Sequence, residues 1–231
     1  MKKVAQVLIV FAMLLSVISP VFASSSAGMD ADDAMKRLLT GNRRFMTESY
    51  NRGDIDLARR AELTKGQHPF AIIVDCSDSR VAPEIVFDQG LGDLFVVRTA
   101  GNTIDNIAIG SVEYAVEHLG VQLVLVLGHE DCGAVKATVA GGRAEGHIDA
   151  IVQAIKPAMA IAKTKPGDLL NNTIAENVDL VVERLQTSQP ILEHAMQTGK
   201  LKIVGGVYSL KDGSVDLHLP KTLKELTQTL R

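Results

Sequence analysis

Tryptophan is absent from this 231-residue chain, and three Tyr and six Phe are its only aromatic residues, so any core has to be aliphatic. There are only two cysteines, Cys76 and Cys132. That excludes a disulfide framework and a four-cysteine structural zinc site, and leaves room for one disulfide at most. No block of basic residues appears: 24 Lys and Arg are scattered among 27 Asp and Glu, for a net charge of −3. Tracking a phosphate backbone needs clustered positive charge, so no nucleic-acid partner is expected. The apolar stretch at residues 7–17 falls short of the about 20 residues that a membrane span requires. No internal repeat or low-complexity tract is visible.

That stretch reads as part of a secretory leader. Lys2 and Lys3 give a short positive start, and Val21-Phe22-Ala23 supplies a −3/−1 cleavage pattern just before a serine run. Residues 1–23 are expected to be a signal peptide cleaved after Ala23. Residues 24–231 then form a single domain exported to a bacterial periplasm, with no stable membrane span. Loss of the two lysines would leave a net charge of −5 (−3 minus 2), a mildly acidic surface.

Beyond a polar linker, residues 30–46 read as a helix, with acidic residues in the first turn and Gly41 as a stop. A charged helix follows at 57–65. Strands are expected at 70–76 and 93–98, then a helix at 106–119 with Ile109, Val112, Val116 and Leu119 along one face, then a strand at 121–128. Helices follow at about 133–140, 148–162, 172–187 and 190–198. Residues 201–210 and 214–219 form a hairpin around an Asp212-Gly213 turn, and a last helix begins near Pro220. The runs at 71–74 and 123–127 are apolar without alternation, as strands covered on both faces must be. The class is therefore α/β: a mostly parallel central sheet flanked by helices, with an N-terminal helical arm and a C-terminal hairpin strand.

Two strands end in residues that carry chemistry. The first runs into "CSDSR", delivering Cys76, Asp78 and Arg80, and the second into "GHEDCGAV", delivering His129 and Cys132. Open α/β sheets gather ligand sites at the carboxyl ends of their strands. Cys, His and Cys are donors that zinc accepts, and three protein donors leave one position open. Two other arrangements compete. His118, His147 or His194 would close a four-ligand structural site, or Cys76 and Cys132 would pair as a disulfide, which explains neither His129 nor the Asp78/Arg80 pair. Gly128 and Gly133 are expected to permit close packing around the ligand turn, and residues 140–146 to form a helix-ending loop.

"CSDSR" followed by "GHEDCGAV" resembles the β-class carbonic anhydrases. The likeness extends to "LLTGNRRF", "GQHP", "DLFVVRTAGN", "GSVEYAVEHLGV" and "GGVYSLKDGSV". The resemblance implies one Zn2+ per subunit on Cys76, His129 and Cys132, and reversible hydration of carbon dioxide to bicarbonate by a zinc-bound hydroxide. It implies Asp78 and Arg80 as the catalytic pair, Gln67 as a hydrogen-bond donor to substrate, and Phe95, Tyr114 and Gly133 as further substrate-binding residues. In the family part of that pocket comes from a neighbouring subunit, so a homodimer or tetramer is expected. Asp78 is expected to stay off the metal, since the chain lacks the Trp of members whose Asp swings onto zinc. Hydrolysis of carbon disulfide or carbonyl sulfide, or a non-catalytic zinc-binding role, would use the same ligands. Asp75, a second carboxylate directly before Cys76, has no assigned part.

Overall fold

The strand runs AIIVDC and LVLVLGH carry no solvent-facing alternation, and every residue in both is buried. They are two of the three interior strands of a five-stranded sheet. The structure is a computed structural model describing residues 28–51 and 54–218; the expected leader, its cleavage site and the helix near Pro220 lie outside them. The strands are β1 (Ala71–Cys76), β2 (Leu94–Thr99), β3 (Leu123–His129), β4 (Lys202–Tyr208) and β5 (Val215–His218), in the spatial order β2-β1-β3-β4-β5. The first four are parallel, and β5 turns back antiparallel on β4 across the turn that contains Gly213.

Eight helices complete the described residues: α1 (Ala31–Met46), α2 (Leu57–Leu63), α3 (Pro83–Val86), α4 (Asn106–Leu119), α5 (Gly133–Ala140), α6 (Ile148–Ala162), α7 (Leu169–Gln186) and α8 (Ile191–Gln197). Aspartates start several of them. Asp30, Asp105 and Asp168 accept backbone N–H groups of Asp32, Ala108 and Asn171. The Asp168 cap places the start of α7 three residues ahead of the expected one.

Strand alternation divides the core into two layers. Ile73, Leu125 and Leu127 pack with Leu38 of α1 and Ile155 of α6 on one face. Ile72, Val74, Val124 and Val126 pack with Val112 of α4 and Val178 of α7 on the other. Among the described residues no helix is long and apolar enough to cross a membrane.

Two local expectations need correction. Gly41 does not stop α1, which continues to Met46. It is buried, and a side chain there would collide with the Phe87 carbonyl, so the glycine serves close packing instead of termination. Gly133 does not relieve crowding either, because a side chain there would meet open space. Gly128 does: a methyl group on it would lie 2.6 Å from Val178, so α7 rests directly on the strand that ends in His129.

Candidate metal centre

β1 and β3 are parallel neighbours, so their carboxyl ends lie on one edge of the sheet. Cys76 is the last residue of β1 and His129 the last of β3. Cys132 follows at the N-cap of α5. All three are buried, and one donor atom of each lies within 4.8 Å of the others. The two sulfurs are 4.0 Å apart, about twice the 2.05 Å of an S–S bond, and both cysteines are free. No other such group occurs among the described residues, and His118, His147 and His194 stand outside this one. The arrangement is an open three-donor set, neither a disulfide nor a four-ligand site.

The His129 ring is turned for ligation. His129 Nδ1 donates to the Glu130 carbonyl at 2.8 Å, the tautomer that leaves a lone pair on Nε2. Nε2 is fully buried with no hydrogen-bond partner, an arrangement costly to leave unmet. A metal ion taking nitrogen and sulfur donors meets that need and is met by the thiols. Within the coupled thiol pair, the neighbouring Cys132 thiol pulls the Cys76 pKa down, aided by the Gly101 N–H that points at its sulfur from 3.2 Å. Cys132 is correspondingly pushed up by Cys76. Gly101 can present that N–H because it sits at φ +68, where a side chain would also strike Ile155. Burial depresses the His129 pKa, but Cys76 and the Glu130 carbonyl outweigh it, and the net shift is upward.

Beside the donors, Arg80 grips Asp78 with two bonds, Nε to Oδ1 at 2.9 Å and Nη2 to Oδ2 at 2.7 Å. These bonds hold the Asp78 carboxyl well below the usual carboxylate range. Oδ2 is also 3.8 Å from His129 Nε2, so an ionised carboxylate borders the donor cluster without belonging to it. Arg80 also reaches Asp131 of the other ligand loop, 3.6 Å away.

Sequence reasoning misses Arg98 beneath this loop and gives Asp75 no part. Arg98 of β2 donates to the Cys76 carbonyl at 2.8 Å and to the Asp78 carbonyl at 2.6 Å. Asp75, fully buried, accepts the Cys76 N–H at 2.6 Å, and its other oxygen lies 3.5 Å from Arg98. Burial pushes Asp75 up to about 8, against the pull of that N–H and of Arg98.

Three expected substrate residues are not brought to the cluster within one chain. Gln67 is exposed and precedes β1, whose six residues, roughly 20 Å at about 3.3 Å each, separate it from the donors. Phe95 registers with Ile72, near the opposite end of β1 from Cys76. Tyr114 is 48% exposed on α4, its ring 6.4 Å from that of Phe95. Gly133 does adjoin the cluster, directly after Cys132.

A parallel sheet with a buried Cys-His-Cys set at its strand ends, bordered by an arginine-held aspartate, has the form of a metal-dependent α/β enzyme. The sequence pattern of the family described as carbonic anhydrase matches residues 71–215. The chain belongs to the carbonic anhydrase family, in its β class. A carbonic anhydrase of Mycolicibacterium smegmatis is 43% identical over 189 residues, covering 80% of this chain and 92% of the relative. A Coccomyxa β-carbonic anhydrase solved with acetazolamide has 27% identity and a TM-score of 0.65, covering 80% and 86% of the two chains. The tetrameric β-carbonic anhydrases of Sordaria macrospora share the fold, at 22% identity and a TM-score of 0.65, with 80% and 97% covered. β-carbonic anhydrases are zinc enzymes, and the donor set here fits that metal.

Proposed function

We propose that this chain catalyses the zinc-dependent, reversible hydration of carbon dioxide to bicarbonate and a proton, as an exported protein whose active sites are completed between subunits. The observation that carries the reading is the buried Cys76/His129/Cys132 set with the Arg80-held Asp78 on its border. Zinc held by the three donors would act as a Lewis acid, making hydroxide available near neutral pH. Cys76, His129 and Cys132 would hold the ion and leave one coordination position open. Asp78, kept ionised by Arg80, is an acceptor at all physiological pH values. It holds the proton of the attacking oxygen at Oδ2 and turns a lone pair of that oxygen toward carbon. Arg80, bonded once to each carboxylate oxygen, would anchor Asp78 beside a metal on the three donors and leave Oδ2 a further lone pair with which to accept.

Gln67, Phe95 and Tyr114 enter from a partner. β2 is an edge strand, half-exposed along its length, with Phe95 and Tyr114 beside it. Antiparallel pairing of two such edges carries the start of each β2 toward the end of the other, where Thr99 registers with Cys76. The partner subunit's Phe95 and Tyr114 then wall an apolar pocket, and the partner subunit's Gln67 donates to a bicarbonate oxygen. Mixing two inactive variants tests this. Cys132→Ser chains and Gln67→Ala chains, co-refolded, should regain up to half the activity per heterodimer, because one site then has every part. No recovery in a proven heterodimer would place Gln67 at the site of its own chain, and full activity of Gln67→Ala by itself would place it outside the reaction.

Stopped-flow carbon dioxide hydration on zinc-quantified protein tests the reaction itself. Two thiolates neutralise the charge of the metal, so water is acidified less than by three histidines, whose sites bring it to about 7. The expected kcat/KM rises with pH between about 7 and 9. Asp78 adds no acid limb, since its pKa is lowered and it protonates only below the ordinary carboxylate value of about 3.9. A zinc-loaded protein inactive across that range, or one that turns over only carbon disulfide or carbonyl sulfide, would overturn the reading.

A further inference from the structure

The loop that carries Asp78 leaves the sheet at Cys76, where the β1 ladder ends. On its β2 side, three hydrogen bonds continue that ladder. One is ordinary backbone pairing, Ser77 N–H to the Thr99 carbonyl at 3.1 Å. The other two come from a single guanidinium: Arg98 Nε to the Cys76 carbonyl and Nη2 to the Asp78 carbonyl. Arg98 is placed for this by strand register, since it pairs with Asp75, one residue before the ligand. The buried Asp75 side chain lies 3.5 Å from the guanidinium and accepts the N–H of the same Cys76. Arg80 fixes the other end of Asp78, its side chain.

The two arginines therefore divide the task. Arg80 sets how the Asp78 carboxylate is turned, and the position of its backbone relative to the Cys76 backbone is set from β2. We propose that Arg98 is the positioning residue for Asp78, its planar fork fixing the distance between the peptide of a metal-ligating residue and the peptide of the catalytic carboxylate. It does not touch the reacting atoms. The inference rests on the role given to Asp78 above and extends it to the strand behind the site. Lysine cannot replace Arg98, because one ammonium on a flexible stem cannot hold two carbonyls in a fixed fork.

A double-mutant cycle on the zinc-loaded protein tests this. Arg98→Lys should lower kcat/KM at least about tenfold, with zinc content and melting temperature near those of the parent. The cobalt-substituted Arg98→Lys protein should keep the thiolate charge-transfer absorption of the parent. Asp78→Asn with Arg98→Lys should be no slower than Asp78→Asn alone, because a positioning residue has nothing left to position. Arg98 is partly exposed, at 28%. Arg98→Ala should therefore regain activity with millimolar guanidinium but not with urea, which carries no charge. Multiplying losses in the double variant, or zinc release parallel to the activity loss in Arg98→Lys, would overturn the proposal. Should Asp78→Asn alone keep full activity, the reading of Asp78 falls first, and with it the basis for Arg98.

Discussion

Replacing Asp78 with asparagine is expected to lower kcat/KM by roughly 100-fold while the protein still binds its zinc. The substitution keeps volume and removes charge. It also puts an NH2 group where one carboxylate oxygen now accepts from Arg80, so a donor faces a donor. With the NH2 at the Oδ1 position it meets Arg80 Nε and the Arg80 backbone N–H, and at the Oδ2 position it meets Arg80 Nη2 and also turns a donor toward the cluster, where an acceptor is needed. In either orientation the acceptor that orients the attacking oxygen is lost or displaced. Asp78 is not one of the three donors, so the metal should stay. Zinc content by atomic absorption and stopped-flow kinetics on the same preparation check the split. Equal loss of zinc and activity would make Asp78 a structural residue.

Cys132→Ser is expected to lose the metal and, with it, all measurable activity. A serine hydroxyl stays protonated and is a poor zinc donor, leaving Cys76 and His129 alone. Disturbing residues that merely support a ligand already costs about 10–100-fold in metal affinity, so removing a ligand should exceed the upper figure. The fold should survive, because Cys132 caps a short helix at the rim of a sheet whose two apolar layers are untouched. Dialysis against a competing chelator, with circular dichroism as control, separates metal loss from unfolding. Stoichiometric zinc in the serine variant would reject the three-donor assignment.

The parts legible in the sequence were those set by local pattern. Unbroken apolar runs marked β1 and β3, and soft donors at their ends marked the edge on which a site forms. What escaped was set by pairing between strands. Arg98 looked like one more residue of "DLFVVRTAGN"; its use of backbone carbonyls becomes visible only when β2 is laid in register against β1. Asp75 stands out in the sequence without a legible part, because its partners are the next residue's own N–H and that same arginine. The four-residue helix α3 and the 3-10 turn at Ala100–Asn102 are too short to carry a periodic signal. The separation of Gln67 from Cys76 was available in principle, since a strand stands between them and strands are long. Residues such as Gly41 misled because glycine serves both chain ends and close contacts.

The two sulfurs lie 4.0 Å apart in space and 56 residues apart along the chain. A zinc ion held between them would therefore be a clasp as well as a reagent. Like a disulfide between the same positions, it would tie together segments distant in the chain, but it would do so by binding a site that only the folded chain presents, so its binding free energy would add to folding stability. Unlike a disulfide, the clasp opens when its metal is withdrawn, so the supply of zinc would govern how long the folded protein lasts as well as how fast it works.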